Sequence, residues 1–272
     1  MMKLSNLKLK EFIMSIMLKT FWALIQRDML VFWPTYKDRI INSLLWATIT
    51  LVVFDQVMPS LGLNAGYAAF LAASNIASWG FFDVMENVAK TISDIEGERS
   101  ISYYLTLPVP QWMVFFRIGI ANALSAFFVV IMFVPITKII LWNKLSFGQI
   151  SFVKLLVMVT LTNLFYGLFS LYLAAKTENL DKITNIWMRV IFPLWFLGCY
   201  QFPWYTLKNV SPIVAYFDLL NPLVYIMEGT RAALIGQEGS LDFWYCTLAL
   251  CGFSVVAGYV GIKKMKKRLD CL

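Results

Sequence analysis

Glu228 and Arg231 are the residues best placed for chemistry in this sequence. They stand in the run Asn221-Pro222-Leu223-Val224-Tyr225-Ile226-Met227-Glu228-Gly229-Thr230-Arg231, three positions apart, the spacing at which side chains on one helix face can pair. Ionisable groups in such apolar surroundings are costly and mark function by default, the alternative being a structural ion pair at headgroup level. Asp83, Glu86 and Arg189 also lie within apolar stretches, where they would suit an ion-coupled carrier. Much other chemistry is excluded. The sequence has no histidine, which removes Ser–His hydrolysis, His-ligated metal sites and histidine proton relays. No G-x-x-x-x-G-K-[S/T] segment occurs, so the chain carries no phosphate-binding loop of its own. Cys199, Cys246, Cys251 and Cys271 lack C-x-x-C spacing and read as small apolar fillers or free thiols. Catalytic residues, metal ligands and cofactor ligands are therefore not expected.

The elements that must position these residues belong in a bilayer. Of 272 residues, 60% are hydrophobic and 14% charged, against about 45–50% and about 25% in soluble domains. Mean hydropathy is +0.69. The charge-poor runs predict an all-α integral membrane protein with spans at about 40–58, 66–88, 112–136, 151–173, 183–200 and 241–262, since about 18 or more apolar residues can cross the hydrocarbon core as a helix. Basic residues crowd both ends: seven precede position 40, and five lie in Lys263-Lys264-Met265-Lys266-Lys267-Arg268. Cationic flanks mark the cytoplasmic side, so both termini are expected inside and the number of crossings even. The charge of +7 is thereby assigned to the membrane surface and not to nucleic acid.

Around the spans, residues 1–39 form a cytoplasmic interface segment. Within 8–28, Lys8, Glu11, Ser15, Lys19 and Gln26 share one helical stripe and Leu9, Phe12, Ile13, Ile16, Met17 and Leu24 another, the pattern of a helix lying in the interface; Pro34 is expected to end it. In the second span Ala65, Ala69, Ala73 and Ala77 predict close helix packing, within the chain or against a second copy. Ser93-Asp94-Ile95-Glu96 matches a capping box and predicts a cytoplasmic helix over 94–106, stopped by Pro108 and Pro110. Pro193, Pro203, Pro212 and Pro222 break any continuous helix through 193–236. Asn221 reads as an N-cap with Pro222 at the first helical position, opening a helix to about Leu234 that Gly236 ends. A re-entrant hairpin over about 203–236 accommodates this segment, provided protein buries its irregular backbone.

This order of elements resembles the membrane-spanning subunit of type 2 ATP-binding-cassette (ABC-2) exporters. Asn221 to Arg231 is similar to that family's N-P-L-x-x-x-x-E/D-x-x-R signature, and Glu98-Arg99-Ser100 through Leu107-Pro108-Val109-Pro110 resembles the polar segment after its second span. The resemblance implies a permease that binds no nucleotide itself, pairs with a second permease copy (identical or related), and engages two ABC ATPase subunits that hold the ATP and Mg. It implies a coupling helix carrying Ser93, Glu96, Glu98 and Arg99, and an outer gate of Asn221, Pro222, Glu228 and Arg231. Tyr200, Trp204, Tyr205, Tyr216 and Tyr225 would offer aromatic faces to a lipid-linked glycan, a polysaccharide or another amphipathic compound in a bacterial inner membrane. Two other classes compete: an ion-coupled secondary transporter using Asp83, Glu86 and Arg189, and a membrane-embedded lipid-modifying enzyme, which the missing histidine and the lack of a loop carboxylate cluster disfavour.

Overall fold

A computed structural model describes residues 2–62, 67–140 and 150–270, and all regular elements among them are helical. The chain begins with α1 (Met2–Phe32), α2 (Tyr36–Val52), α3 (Met58–Ser60) and α4 (Tyr67–Glu96). A five-residue helix, α5 (Ser100–Tyr104), precedes the long α6 (Gln111–Ile140) and α7 (Phe152–Lys176). Short helices follow: α8 (Ile183–Ile186), α9 (Phe192–Leu197), α10 (Trp204–Val210), α11 (Pro212–Asp218) and α12 (Pro222–Leu234); α13 (Phe243–Asp270) closes the chain. Ala65, Lys144 and Cys271 lie outside the described residues.

Among the described residues, five helical runs are long and apolar enough to cross a bilayer: Met14–Ser60, Tyr67–Glu96, Gln111–Ile139, Phe152–Lys176 and Phe243–Leu269. The first differs from expectation. Pro34 sits in a tight turn, Trp33–Thr35, whose flanking residues keep helical dihedrals, and helix continues from α1 through α2. Proline early in a helical turn withholds an N–H that would lack a partner there, so Pro34 tightens the helix without ending it. In α1 Phe12 and Ile16 are exposed while Leu24 and Ile25 are buried. The predicted span 183–200 also changes form. It comprises α8, a wide π turn over Trp187–Ile191, and α9, which stops at Leu197. That π turn lies just before Pro193, where a regular helix would place the Arg189 carbonyl against the proline ring. From Ile183 to Leu197 the run rises only about 22 Å.

Helix α7 is the centre of the bundle and packs against α4, α6, α12 and α13. Small residues set its spacing. A Cβ on Gly167 would collide with the Gly119 carbonyl of α6, and one on Gly261 of α13 would lie 3.1 Å from the Tyr172 backbone nitrogen. Ala73 and Ala77 are buried, as are Ala68 and Ala72, so the alanine repeat of α4 packs largely inside this chain. Cys199, Cys246 and Cys251 are free thiols.

The two ends of the bundle differ. At one, Arg268 of α13 donates to the carbonyls of Ala174 (2.6 Å), Thr177 (2.6 Å) and Glu178 (2.8 Å), closing the carbonyl end of α7; Glu96 of α4 acts on the same guanidinium. At the other, the Tyr67 hydroxyl donates to the Gln201 carbonyl (2.5 Å) and Ser151 N–H to that of Ala233 (2.9 Å). The polar turn after α4 and the proline-rich segment thus occupy opposite ends.

Candidate functional site

The proline-rich segment is built around its prolines. Pro203 stands just before α10, Pro212 opens α11 and Pro222 opens α12. Each occupies a place where a missing N–H is harmless. Asn221 caps α12 as expected, its side-chain oxygen accepting the Leu223 N–H at 3.0 Å. Its amide nitrogen meanwhile donates to the Leu194 carbonyl at 2.8 Å, one of the terminal carbonyls of α9 that the helix cannot satisfy itself. Residues Pro222–Leu234 are all buried. Gly236, at φ +110°, follows the end of α12 in the left-handed region that glycine tolerates best.

Glu228 and Arg231 do pair, Nη1 to Oε1 at 3.0 Å, with side-chain exposures of 0% and 1%. Their other bonds explain why they are there. Glu228 accepts the Trp204 N–H that begins α10 (3.0 Å) and the Leu241 N–H just ahead of α13 (3.0 Å). Arg231 donates to the Ser74 hydroxyl of α4 (2.7 Å), the Tyr200 carbonyl (3.0 Å) and the Cys199 carbonyl. Its guanidinium also lies 3.7 Å from the Phe70 ring centre, a cation–π arrangement. The carboxylate therefore collects the free N–H groups of chain entries and the guanidinium the free C=O groups of a chain exit. Buried backbone polar groups must find partners, and in a bilayer water cannot supply them.

The five aromatic side chains separate into two sets. Tyr200, Trp204 and Tyr225 are buried, and each donates a hydrogen bond inward, to the Asn75 side chain (2.8 Å), the Ala215 carbonyl (2.9 Å) and the Leu219 carbonyl (2.7 Å). Tyr205 and Tyr216 are exposed.

At the opposite end the predicted helix over 94–106 is replaced by something shorter. Ser93 and Glu96 lie in the last turn of α4, which runs unbroken from Tyr67, so they form no capping box. Asp94 does the capping instead. Its carboxylate accepts the N–H groups of Ser100 (3.1 Å) and Ile101 (3.0 Å) across a turn in which Arg99 adopts φ +53°. An acidic group there satisfies the free donors of α5. Ser93, Glu96, Glu98 and Arg99 are exposed around this turn. Tyr104 is buried beneath two guanidinium groups, Arg27 of α1 at 5.2 Å and Arg117 of α6 at 4.5 Å, and Arg117 reaches Asp28 at 3.4 Å. Tyr103, the next residue back, is 65% exposed. One face of α5 is thus fastened to α1 and α6 and the other is open.

Beside this junction lies a polar cavity of about 500 Å³ among α1, α2, α4, α5 and α6. On its wall Arg39 binds Asp83 (3.3 Å) and Glu86 (2.6 Å), tying α2 to α4. Arg39, Asp28 and Tyr104 were missed as partners by sequence reasoning; the signal for Asp28 and Tyr104 is Arg117, an arginine inside an apolar span that demands an acidic or aromatic neighbour, and the signal for Arg39 is the acidic pair Asp83 and Glu86, which demands a cation.

Residues 19–235 match the model of a family described as ABC-2 type transporter. Among characterised proteins, the chain is 23% identical over 222 residues to the inner membrane transport permease YadH of Escherichia coli strain K12, covering 80% of this chain and 83% of that protein; the Shigella flexneri protein of that name matches to the same extent. With its signature residues gathered at one end of an all-helical bundle able to span a membrane several times, this chain belongs to the ABC-2 type transporter family and is a transporter's membrane subunit.

Proposed function

We propose that this chain is the permease of an ATP-driven exporter in a bacterial inner membrane, working as a pair of permease chains on two ABC ATPase subunits. The family implies ABC ATPase partners; their number and the permease pair belong to the proposal. Both termini face the cytoplasm. The run Leu180–Leu197 completes an even number of crossings, its short reach extended by the buried chain at Cys199 and Tyr200. Residues 203–236 form a re-entrant hairpin at the outer face and act as the gate. The cargo is a lipid-linked glycan, a polysaccharide or another amphipathic compound.

The observation that supports this most is the two-faced α5. Its inner face holds Tyr104 between Arg27 and Arg117, and its outer face presents Tyr103 beside the exposed Glu98 and Arg99. A partner pressing on Tyr103 would move α1 and α6 together. Movement of this kind requires a contact whose strength differs between two states of the transporter, and nucleotide-dependent closure of ATPases supplies one. Asp83 and Glu86 are accounted for by Arg39, which weakens the ion-coupled reading.

The test is purification in mild detergent from native membranes. An ABC ATPase is expected to accompany the chain, and E98K/R99E with Y103A to release it while leaving the permease monodisperse. Cargo turnover by the isolated chain under an ion gradient, without any ATPase, would overturn the proposal.

A further inference from the structure

A second hollow among the described residues lies apart from the Glu228–Arg231 pair and from the turn at Asp94. It is a groove of about 740 Å³ formed by α7, the run from α8 to α9, and α13. Its chemistry is graded along its length. Lys176 and Lys182 stand where α7 ends and α8 begins, Arg189 follows about 10 Å further along the run by helical rise, and the apolar walls include Phe165, Phe169, Leu194, Phe253, Val256 and Val260. Lys182 is held by Glu178. Lys176 and Arg189 are exposed, and no carboxylate of the described residues reaches either. A further cation, Lys264, sits 5.5 Å from the ring of Tyr172, itself a groove residue.

The dimensions match a single lipid. From Lys176 to Phe165 along α7 the groove runs about 16 Å by helical rise, close to half of a hydrocarbon core about 30 Å thick. Its cationic end coincides with the end where Arg268 closes α7, and Pro222, the first residue of α12, also lines it. An acyl chain entering beside Lys176 would therefore end against the opening turn of the signature helix. Lysine and arginine stems reaching a headgroup from an apolar wall are a favourable arrangement, and basic residues at the surface favour anionic lipid.

We propose that this groove binds one anionic glycerophospholipid of the leaflet on the basic side, its phosphate between Lys176 and Arg189 and an acyl chain reaching Pro222. The occupant is distinct from the exported cargo, and the proposal stands whether or not the hairpin is the gate. With the orientation given above, that leaflet is the cytoplasmic one.

Native mass spectrometry of the detergent-purified full chain, titrated with dioleoylphosphatidylglycerol and dioleoylphosphatidylethanolamine, tests it. One phosphatidylglycerol is expected to be retained in preference, and K176Q/R189Q to lower that preference about 10-fold while K176R/R189K keeps it. V256W, which fills the groove with a larger apolar side chain, should exclude both lipids; A257F serves if V256W fails to fold. Equal retention of the two lipids, or a preference unchanged in K176Q/R189Q, would overturn the assignment. So would displacement of the lipid by millimolar glycerol 3-phosphate, which would locate the affinity in the headgroup alone.

Discussion

Arg231 Nη2 and Ser74 Oγ lie 2.7 Å apart although 157 residues separate them in sequence. That bond joins the signature helix α12 to the first third of α4, the helix whose other end carries Asp94 and the turn into α5. A rigid helix of 30 residues thus connects the proline-rich end of the molecule with the open face at the opposite end. Displacing α4 along its axis must either break the Ser74 bond or pull Arg231 from the carbonyls that follow α9, because one guanidinium holds both.

The Glu228–Arg231 pair should behave unlike an isolated buried ion pair. Removing one partner of a buried pair costs about 3–5 kcal/mol, while replacing both with apolar residues is often neutral. Here R231M is expected to destabilise strongly, and E228M/R231M to remain destabilised, because the Trp204 and Leu241 N–H groups and the Cys199 and Tyr200 carbonyls lose their partners too. Each unsatisfied buried group costs about 1–3 kcal/mol. Thermal unfolding in detergent checks this; recovery of wild-type Tm by the double variant would show that the backbone bonds contribute little.

Helix spacing gives a prediction with an internal control. Gly167 faces the Gly119 backbone, whereas no atom lies within 4 Å of a Cβ placed on Gly252. G167A must push α6 from α7 and should cost about 1–3 kcal/mol. G252A should be neutral or stabilising by about 0.5–1 kcal/mol, alanine being the better helix former. Loss of monodispersity after graded heating distinguishes the two, and equal behaviour would refute the close approach.

At the proposed coupling end Asp94 and Tyr103 separate two roles. D94A removes the cap of α5 and should lower its local stability by about 1 kcal/mol, seen as faster amide exchange over 100–105. Y103A removes an exposed ring and should leave exchange there unchanged while weakening ATPase association. If Y103A loosened α5 and left association intact, the open face of α5 would not be the contact.

How much of this was legible in the sequence follows from how local each feature is. The cap at Asn221 and the end of α12 near Gly236 depend on neighbours in the chain and were legible there; of the apolar runs, 112–136 and 151–173 fall on single long helices, whereas the first lies in a helical run that begins much earlier and 183–200 is broken. The box at Ser93 and Glu96 failed for a physical reason: its spacing fits a helix start, yet residues upstream already formed one, and a continuing helix needs no new nucleus. Partners far apart in sequence were invisible, as with Ser74 for Arg231 or Arg39 for Asp83 and Glu86. A buried aromatic and an exposed one look alike in sequence; only packing separates Tyr200, Trp204 and Tyr225 from Tyr205 and Tyr216.

Membrane topology is the remaining prediction, and cysteine accessibility decides it. Among the described residues the native thiols Cys199 and Cys246 are buried and Cys251 half-buried, so single new cysteines can be labelled over a low background, with Cys271 replaced by serine. Lys208 lies at the end of α10, and Glu238 in the turn between α12 and α13. If residues 203–236 enter and leave by one face, K208C and E238C react with an impermeant maleimide from the same, outer side. E98C and K266C should react only after the membrane is opened. The geometry favours that outcome: α12 rises only about 20 Å, its first turn is anchored to the end of α9 through Asn221 and Leu194, and its last turn lies against the opening of α7 through Ala233 and Ser151. Should Lys208 and Glu238 label from opposite faces, α12 would be a crossing, the termini would no longer share a side, and the gate assigned to the hairpin would have to be abandoned.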